Sequence, residues 1–247
     1  MSALLEVNGL RKAFGGHVAV DGLTFVLWPG EIVGLLGPNG SGKTTAINMI
    51  SGSLLPDKGS IRIHGQEICG KKPHRIAAMG IARTFQLVRV ASGMTAVDNV
   101  VAALAFVGPR LTGSAAEVRA VALLSQLGLG ERLHTIAGDL TYIDQKRLEL
   151  ARALALDPQV LLLDEWLAGL NPAELLEGIA LIQSLRTSGI AVLMVEHVMD
   201  AVRALCDRCV VMAAGKLIAD GHTDAVLSRP DVRRAYLGED DEEKVDA

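Results

Sequence analysis

The chain has 247 residues, half of them apolar and only 3 % aromatic, with a formal net charge of −4. That length suits one large α/β domain, or one domain with an inserted lobe. The apolar core must be built from Ala, Val, Leu and Ile, which suits parallel strands covered on both faces by helices. The acidic balance, spread without long runs, argues against a broad nucleic-acid surface, so no nucleic-acid partner is expected. Of the three cysteines, Cys206 and Cys209 form a CxxC. No second CxxC or His pair at ligand spacing completes a zinc site, and a pair on or near a helix in a reducing compartment is expected. No charged-then-apolar leader is visible. The longest apolar stretch, Val97–Val107, carries Asp98 and Asn99, too short and too polar to span a bilayer. A cytosolic chain is expected, with any membrane role exercised through a partner.

In chain order, Leu4–Leu10 and His17–Leu27 alternate apolar and polar residues, as half-exposed antiparallel strands do. Trp28–Glu31 reads as a turn. Ile32–Leu36 is a continuous apolar run, a strand buried on both faces, and it ends in GPNGSG before the helical segment TTAINMIS. Ile61–Gly65 is another strand. From Met94 to about Leu156 the pattern is helical. SAAE at Ser114–Glu117 predicts a capping box opening a helix towards Leu127. Asp144–Leu156 has amphipathic spacing with Asp at its start. Val160–Leu163 is a strand running into Asp164 and Glu165. Asn171 precedes a first-turn proline and opens a helix to about Arg186, which Ser188–Gly189 ends. Ile190–Val195 is a further buried strand. Arg208–Gly221 reads as two strands around an Ala-Gly turn. The tail EDDEEKVDA is acidic and expected to be disordered. The order β-rich, α-rich, then β/α predicts a parallel sheet split by a helical insertion.

Two segments carry chemistry. GPNGSGKTT at Gly37–Thr45 fits G-x-x-x-x-G-K-[ST] between a buried strand and a helix. Gly37, Gly40 and Gly42 let the backbone of Gly37, Pro38, Asn39, Gly40, Ser41, Gly42, Lys43, Thr44 and Thr45 wrap phosphates with its N–H groups. Lys43 would reach the β- and γ-phosphates, and the Thr44 hydroxyl would ligate Mg²⁺. The pair Asp164–Glu165 follows four apolar residues, so a buried strand would deliver both carboxylates to its C-terminal edge. Alone, such a pair also fits a solvated loop. Beside a phosphate loop, Asp164 is expected in the Mg²⁺ shell and Glu165 as the group that polarises the attacking water. His197 follows the next buried strand and is expected near a γ-phosphate. His17, His64, His74, His134 and His222 read as surface or loop residues.

The order of these elements resembles the ABC transporter ATPase family across nearly the whole chain. That resemblance implies a P-loop NTPase core with a parallel sheet, an N-terminal antiparallel β subdomain and an inserted α-helical subdomain. Core and β subdomain would occupy residues 1–86 and 157–238, the helical signature subdomain 87–156 and the tail 239–247. It implies that Phe14 in KAFGG stacks on adenine. Gln86 in RTFQ would touch Mg²⁺ and the reacting phosphate and couple the site to a membrane subunit. Leu140–Leu154 is similar to the signature segment, so Thr141 and Tyr142 would meet the nucleotide held by a partner ATPase subunit. AGLN at Ala168–Asn171 matches a dimer-contacting loop, and His197 the switch histidine. The implied catalytic set is Lys43, Gln86, Glu165 and His197, with ATP and Mg²⁺ bound. The implied partners are integral-membrane permease subunits, a second ATPase subunit and, indirectly, a solute-binding protein, at the inner face of the cell membrane. RTFQLVRV, AGLNPAE, VEHVMDAV and RPDVRRAYLGE resemble ATPases of branched-chain amino-acid uptake, although importers for urea and amides share much of this pattern.

Three positions depart from the family pattern. Ile143 stands in place of a signature glycine, Asp144 adds a negative charge where the helix start should face an anion, and Trp166 replaces the usual proline after Asp164–Glu165. The first two predict a weakened site in trans, hence an unequal, heterodimeric pair of ATPase subunits. Two other classes compete. An ABC-type ATPase acting on DNA or ribosomes lacks support from any coiled coil, second cassette or basic excess. A P-loop kinase or GTPase is opposed by the 121 positions between Lys43 and Asp164 and by the absence of NKxD.

Overall fold

The computed structural model describes residues 2–106 and 111–237; the expected disordered tail, 239–247, lies outside them. The elements run β1 (Leu5–Phe14), β2 (His17–Leu27), β3 (Ile32–Leu36), α1 (Lys43–Ile50), β4 (Lys58–Ile63), β5 (Gln66–Glu67), α2 (Pro73–Ala78), β6 (Ile81–Arg83), α3 (Ala96–Leu104), α4 (Gly113–Gln126), a 3-10 turn (Ala137–Asp139), α5 (Tyr142–Leu154), β7 (Val160–Asp164), α6 (Pro172–Thr187), β8 (Ala191–Val195), α7 (Met199–Leu205), β9 (Arg208–Ala213), β10 (Lys216–His222), α8 (Thr223–Leu227) and α9 (Pro230–Leu237).

Two sheets organise them. One is four-stranded in the order β2-β1-β4-β5, antiparallel throughout. The other has six strands in the order β10-β9-β3-β8-β7-β6. All its pairings are parallel except the β9–β10 hairpin, whose turn places Ala214 and Gly215 at positive φ, the twist a two-residue hairpin requires. Strands β3, β7 and β8 are buried along their whole length. Because successive side chains in a strand point to opposite faces, each strand feeds two cores. Ile32, Leu36, Leu161, Leu163, Val192 and Met194 join one cluster, which also holds the apolar faces of α3 to α7. Val33, Leu35, Val160, Leu162, Leu193 and Val195 join the other, with α1 and the antiparallel sheet. The inserted helices therefore share a continuous core with one face of the central sheet. Aliphatic packing dominates, and only Phe25 and Trp166 are buried aromatics among the described residues.

The helix starts correct two expectations. Helix α4 opens at Gly113 with no side-chain cap, so Ser114 already sits inside the first turn and cannot cap it. Helix α5 opens at Tyr142, two residues before Asp144, because the Thr141 hydroxyl accepts the Asp144 N–H. Asn171 behaves as expected. Its side chain accepts the Ala173 and Glu174 N–H groups, and Glu174 accepts the Asn171 N–H in return. Cys206 ends α7 and Cys209 lies in β9; both thiols are free and buried. No helix among the described residues is long and apolar enough to cross a membrane.

Candidate active site

Strands β3, β7 and β8 run parallel side by side, so their carboxyl ends deliver the following residues to one edge. Strand β3 releases the phosphate loop, β7 ends in Asp164 and leads to Glu165, and β8 leads to Glu196 and His197. Such an edge, where helices depart on both faces, is where open α/β sheets bind ligands.

The loop closes only with glycine at two places. Gly37 adopts φ 144°, and a Cβ there would stand 2.1 Å from the Met212 carbonyl oxygen. Gly42, which caps α1, adopts φ 104°, and its Cβ would stand 2.3 Å from the Ala19 carbonyl oxygen. Lys43 is nearly buried. Its ammonium donates to the carbonyls of Gly37 at 2.7 Å and Pro38 at 3.0 Å. Burial lowers its pKa, while Glu165 and Asp164 act in the opposite sense. Thr44 is exposed to the cleft.

Glu165 is the most unusual residue of the edge. Its φ is 51°, the left-handed region that a non-glycine residue enters at a cost of about 1–2 kcal/mol. Its N–H donates to the Val195 carbonyl at 2.9 Å. One carboxylate oxygen accepts from Gln86 Nε2 at 2.8 Å and the other lies 3.1 Å from His197 Nε2. Phe14, Asn39–Thr45, Glu165 and His197 together line a cleft of about 310 Å³, open on one side. Gln86 joins it through Glu165.

Several placements were not legible beforehand. His17, read as a surface residue, lines the cleft beside Phe14. Asp164 is buried and its Oδ2 pairs with Arg83 at 2.7 Å; Arg83 also donates to Asn48 and Ser51, tying Asp164 to α1. Tyr236 on α9 accepts the Gly37 N–H at 2.7 Å, a contact across 199 positions. Thr141 and Tyr142 do not reach the cleft; they are exposed at the start of α5. The departures beside them point elsewhere than expected. The Ile143 side chain is buried, so its Cβ does not obstruct the exposed face. Asp144 is buried too and lies 3.4 Å from Arg147, which compensates its charge. Both side chains lie on the buried face of α5, Asp144 four residues before Leu148 and Ile143 seven before Leu150.

Residues 20–168 match the family model described as "ABC transporter". The chain belongs to the ABC transporter family. Residues 216–242 match a second model, described as "Branched-chain amino acid ATP-binding cassette transporter". The chain is 41 % identical over 250 residues to the high-affinity branched-chain amino acid transport ATP-binding protein LivG of Escherichia coli K12, covering 96 % of this chain and 98 % of that one. It is also 41 % identical, with the same coverage, to the corresponding protein BraF of Pseudomonas aeruginosa. The lipopolysaccharide export ATP-binding protein LptB of Acidithiobacillus ferridurans is 37 % identical over 97 % of this chain and 98 % of its own. Among solved structures, MJ1267 in its ADP conformation, an ATP-binding cassette of an ABC transporter, superposes with a TM-score of 0.88 at 30 % identity, covering 97 % of this chain and all of that one. This ABC ATPase therefore binds and hydrolyses ATP and works with membrane permease subunits, and the kinase and GTPase readings fall away.

Proposed function

We propose that this cassette energises uptake of branched-chain or other hydrophobic amino acids. The observation that carries the hydrolytic part is Glu165, held at a left-handed φ between Gln86 and His197 and facing the cleft of Lys43. Strain of this kind persists where the surroundings over-determine a conformation that function uses.

In this reading ATP lies along the cleft. Phe14, half exposed at the end of β1, stacks on adenine. The N–H groups of Gly40–Thr45 and the start of α1 surround the phosphates. Lys43 leaves the Gly37 and Pro38 carbonyls for the β- and γ-phosphates. Thr44, the Gln86 carbonyl oxygen and Asp164 supply hard oxygen donors that suit Mg²⁺. Arg83, 2.7 Å from Oδ2, holds in place the Asp164 carboxylate that would serve the ion. Bound there, Mg²⁺ would supply positive charge to offset the negative charge that develops on the phosphates. Glu165 accepts a proton from, and orients, the attacking water; Gln86 and His197 hold the carboxylate in line.

The cassette pairs with a second ATPase subunit through Thr141, Tyr142 and Ala168–Asn171, and the likeness to a dimeric ATP-binding cassette, MJ0796, supports the pairing at the level of fold. The burial of Ile143 and of Asp144 removes the reason for expecting an unequal pair, so the pairing is proposed without a preference for a heterodimer. The core (1–86 and 157–238) and the helical lobe (87–156) act as units. A permease docks where they meet, at a groove of about 360 Å³ lined by Arg83, Phe85, Arg89, Phe106 and Arg152, with Leu87 and Phe106 largely exposed beside it. The complex sits at the inner face of the membrane and receives solute from a binding protein. The substrate class rests on LivG, BraF and the match of residues 216–242. Reconstitution with its permease subunits should give ATP-dependent uptake of labelled leucine. Uptake of urea or short amides without leucine would refute the amino-acid assignment and leave the ATPase intact.

A further inference from the structure

Trp166 stands where the family pattern has proline, and the nucleotide chemistry gives it no task. It is 1 % exposed. Its indole Nε1–H donates to the Lys146 carbonyl at 3.3 Å. The Lys146 ammonium, itself buried, donates back to the Trp166 carbonyl at 2.7 Å and to the Ala168 carbonyl at 2.9 Å, and it lies 3.5 Å from the Glu165 carbonyl. Three acceptors match the three protons of an ammonium. The two residues thus bond each other in both directions across 20 positions. The indole also needs space. On α6, a Cβ at Gly178 would stand 3.2 Å from Trp166 Cζ3 and 2.6 Å from Leu167 Cδ2, so the absent side chain makes the seat.

The surroundings link this pair to both ends of the chemistry. Lys146 lies 4.9 Å from the Tyr142 ring centroid, and Tyr142 is one of the exposed residues at the start of α5. The Leu167 N–H donates to the buried Glu196 at 2.7 Å. The charged groups facing Lys146 are Glu196, Glu149 and Glu165; burial lowers its pKa and these carboxylates oppose that. One turn along α5, Glu149 accepts the Phe85 and Arg89 N–H groups on either side of Gln86. The backbone that carries Glu165 and the segment that carries Gln86 are therefore fastened to the same helix.

We propose that Lys146 and Trp166 are positioning residues, a reciprocal latch that fixes the backbone of Glu165–Ala168 against α5 and passes a shift of Thr141 and Tyr142 to the Glu165 carboxylate. This rests on the assignment of Glu165 as the hydrolytic carboxylate. A residue at φ 51° holds its place only by support from its neighbours; the Val195 carbonyl holds its N–H, and Lys146 holds the carbonyl side. Small misplacement of a catalytic group costs about a hundredfold in rate.

The test uses the full chain with W166F, K146M, K146R and E165Q. W166F keeps a ring and deletes one donor; K146M removes the ammonium; K146R keeps charge and donors. Binding of a fluorescent ATP analogue, thermal midpoint, kcat and KM are measured for each. The latch predicts nucleotide affinity and KM close to the parent and a kcat lower by about ten- to a hundredfold in W166F and K146M. It also predicts partial recovery in K146R, and a K146M/W166F double variant no worse than the poorer single. Parental kcat in folded W166F and K146M, or a loss that disappears once each variant is assayed at the same distance below its own midpoint, overturns the latch. Should K146M fail to fold, W166F decides alone by the same criterion. E165Q separates the two readings. Turnover surviving in E165Q removes the Glu165 assignment and the latch with it. Loss in E165Q beside unchanged W166F and K146M overturns the latch only.

Discussion

Replacing Glu165 by Gln is close to isosteric and isolates charge. The amide oxygen still accepts from Gln86 Nε2, the contact made at 2.8 Å by the carboxylate, and the amide nitrogen turns to His197. The backbone strain at φ 51° stays, because Gln is no better suited than Glu to the left-handed region. Stability should therefore change by less than about 1 kcal/mol, the worth of one ordinary hydrogen bond. What disappears is the group that can accept a proton from water. A positioned general base supplies about 10²- to 10⁴-fold, which at 1.36 kcal/mol per decade raises the barrier by about 3–5 kcal/mol. Removing a negative charge that faces the phosphate cleft also favours the bound nucleotide, so affinity for ATP should rise. Phosphate release under saturating ATP, with a parallel binding titration and thermal melt, separates these effects. A kcat within about threefold of the parent, with the fold and ATP affinity preserved, would refute the role given to Glu165.

Three further outcomes are expected. G37A places a methyl group 2.1 Å from the Met212 carbonyl oxygen at φ 144°, so the loop must open; ATP binding should be lost and unfolding stability reduced by about 3 kcal/mol, read by titration and chemical denaturation. Y236F removes the acceptor of the Gly37 N–H; a cost of about 1 kcal/mol and a raised KM for ATP with unchanged kcat are expected, and a KM equal to the parent's would show that α9 does not support the loop. Burial pushes the Glu196 carboxyl from 4.5 up to about 7. Between those values the native state holds more protons than the unfolded chain, so stability falls as pH rises through the window and levels off above about 7, by about 3 kcal/mol in all. Urea unfolding from pH 4.5 to 8 should show this slope in the parent and not in E196Q.

Much of the site was legible because its chemistry is local. The phosphate loop, the carboxylates after β7 and the Asn171 capping box each lie within nine consecutive residues, and the continuous apolar runs of β3, β7 and β8 announce strands buried on both faces. What stayed hidden depends on distant pairs. Arg83–Asp164 spans 81 positions and Tyr236–Gly37 spans 199; no spacing rule connects such residues. The short elements β6 and α7 to α9 are too brief to show a period. The inward turn of Ile143 and Asp144 was missed because both were read only against the family's signature pattern and not against the apolar face of α5. Asp144 lies four residues before Leu148 and Ile143 seven before Leu150, spacings that put them on the buried face of α5.

The two-sided burial of the central strands has a consequence for how far this edge can be altered. Each of β3, β7 and β8 is locked by separate apolar sets on opposite faces, so a one-residue slip would invert both at once. Asp164 stays opposite Val195, and Leu163 opposite Met194, whatever residues follow the strand ends. The sheet thus works as a ruler whose graduations are set by hydrophobic contacts far from the chemistry. Substitutions beyond its carboxyl edge can change which bonds the loops make without moving the points from which they start, and a strained carboxylate can be carried there without loosening the frame.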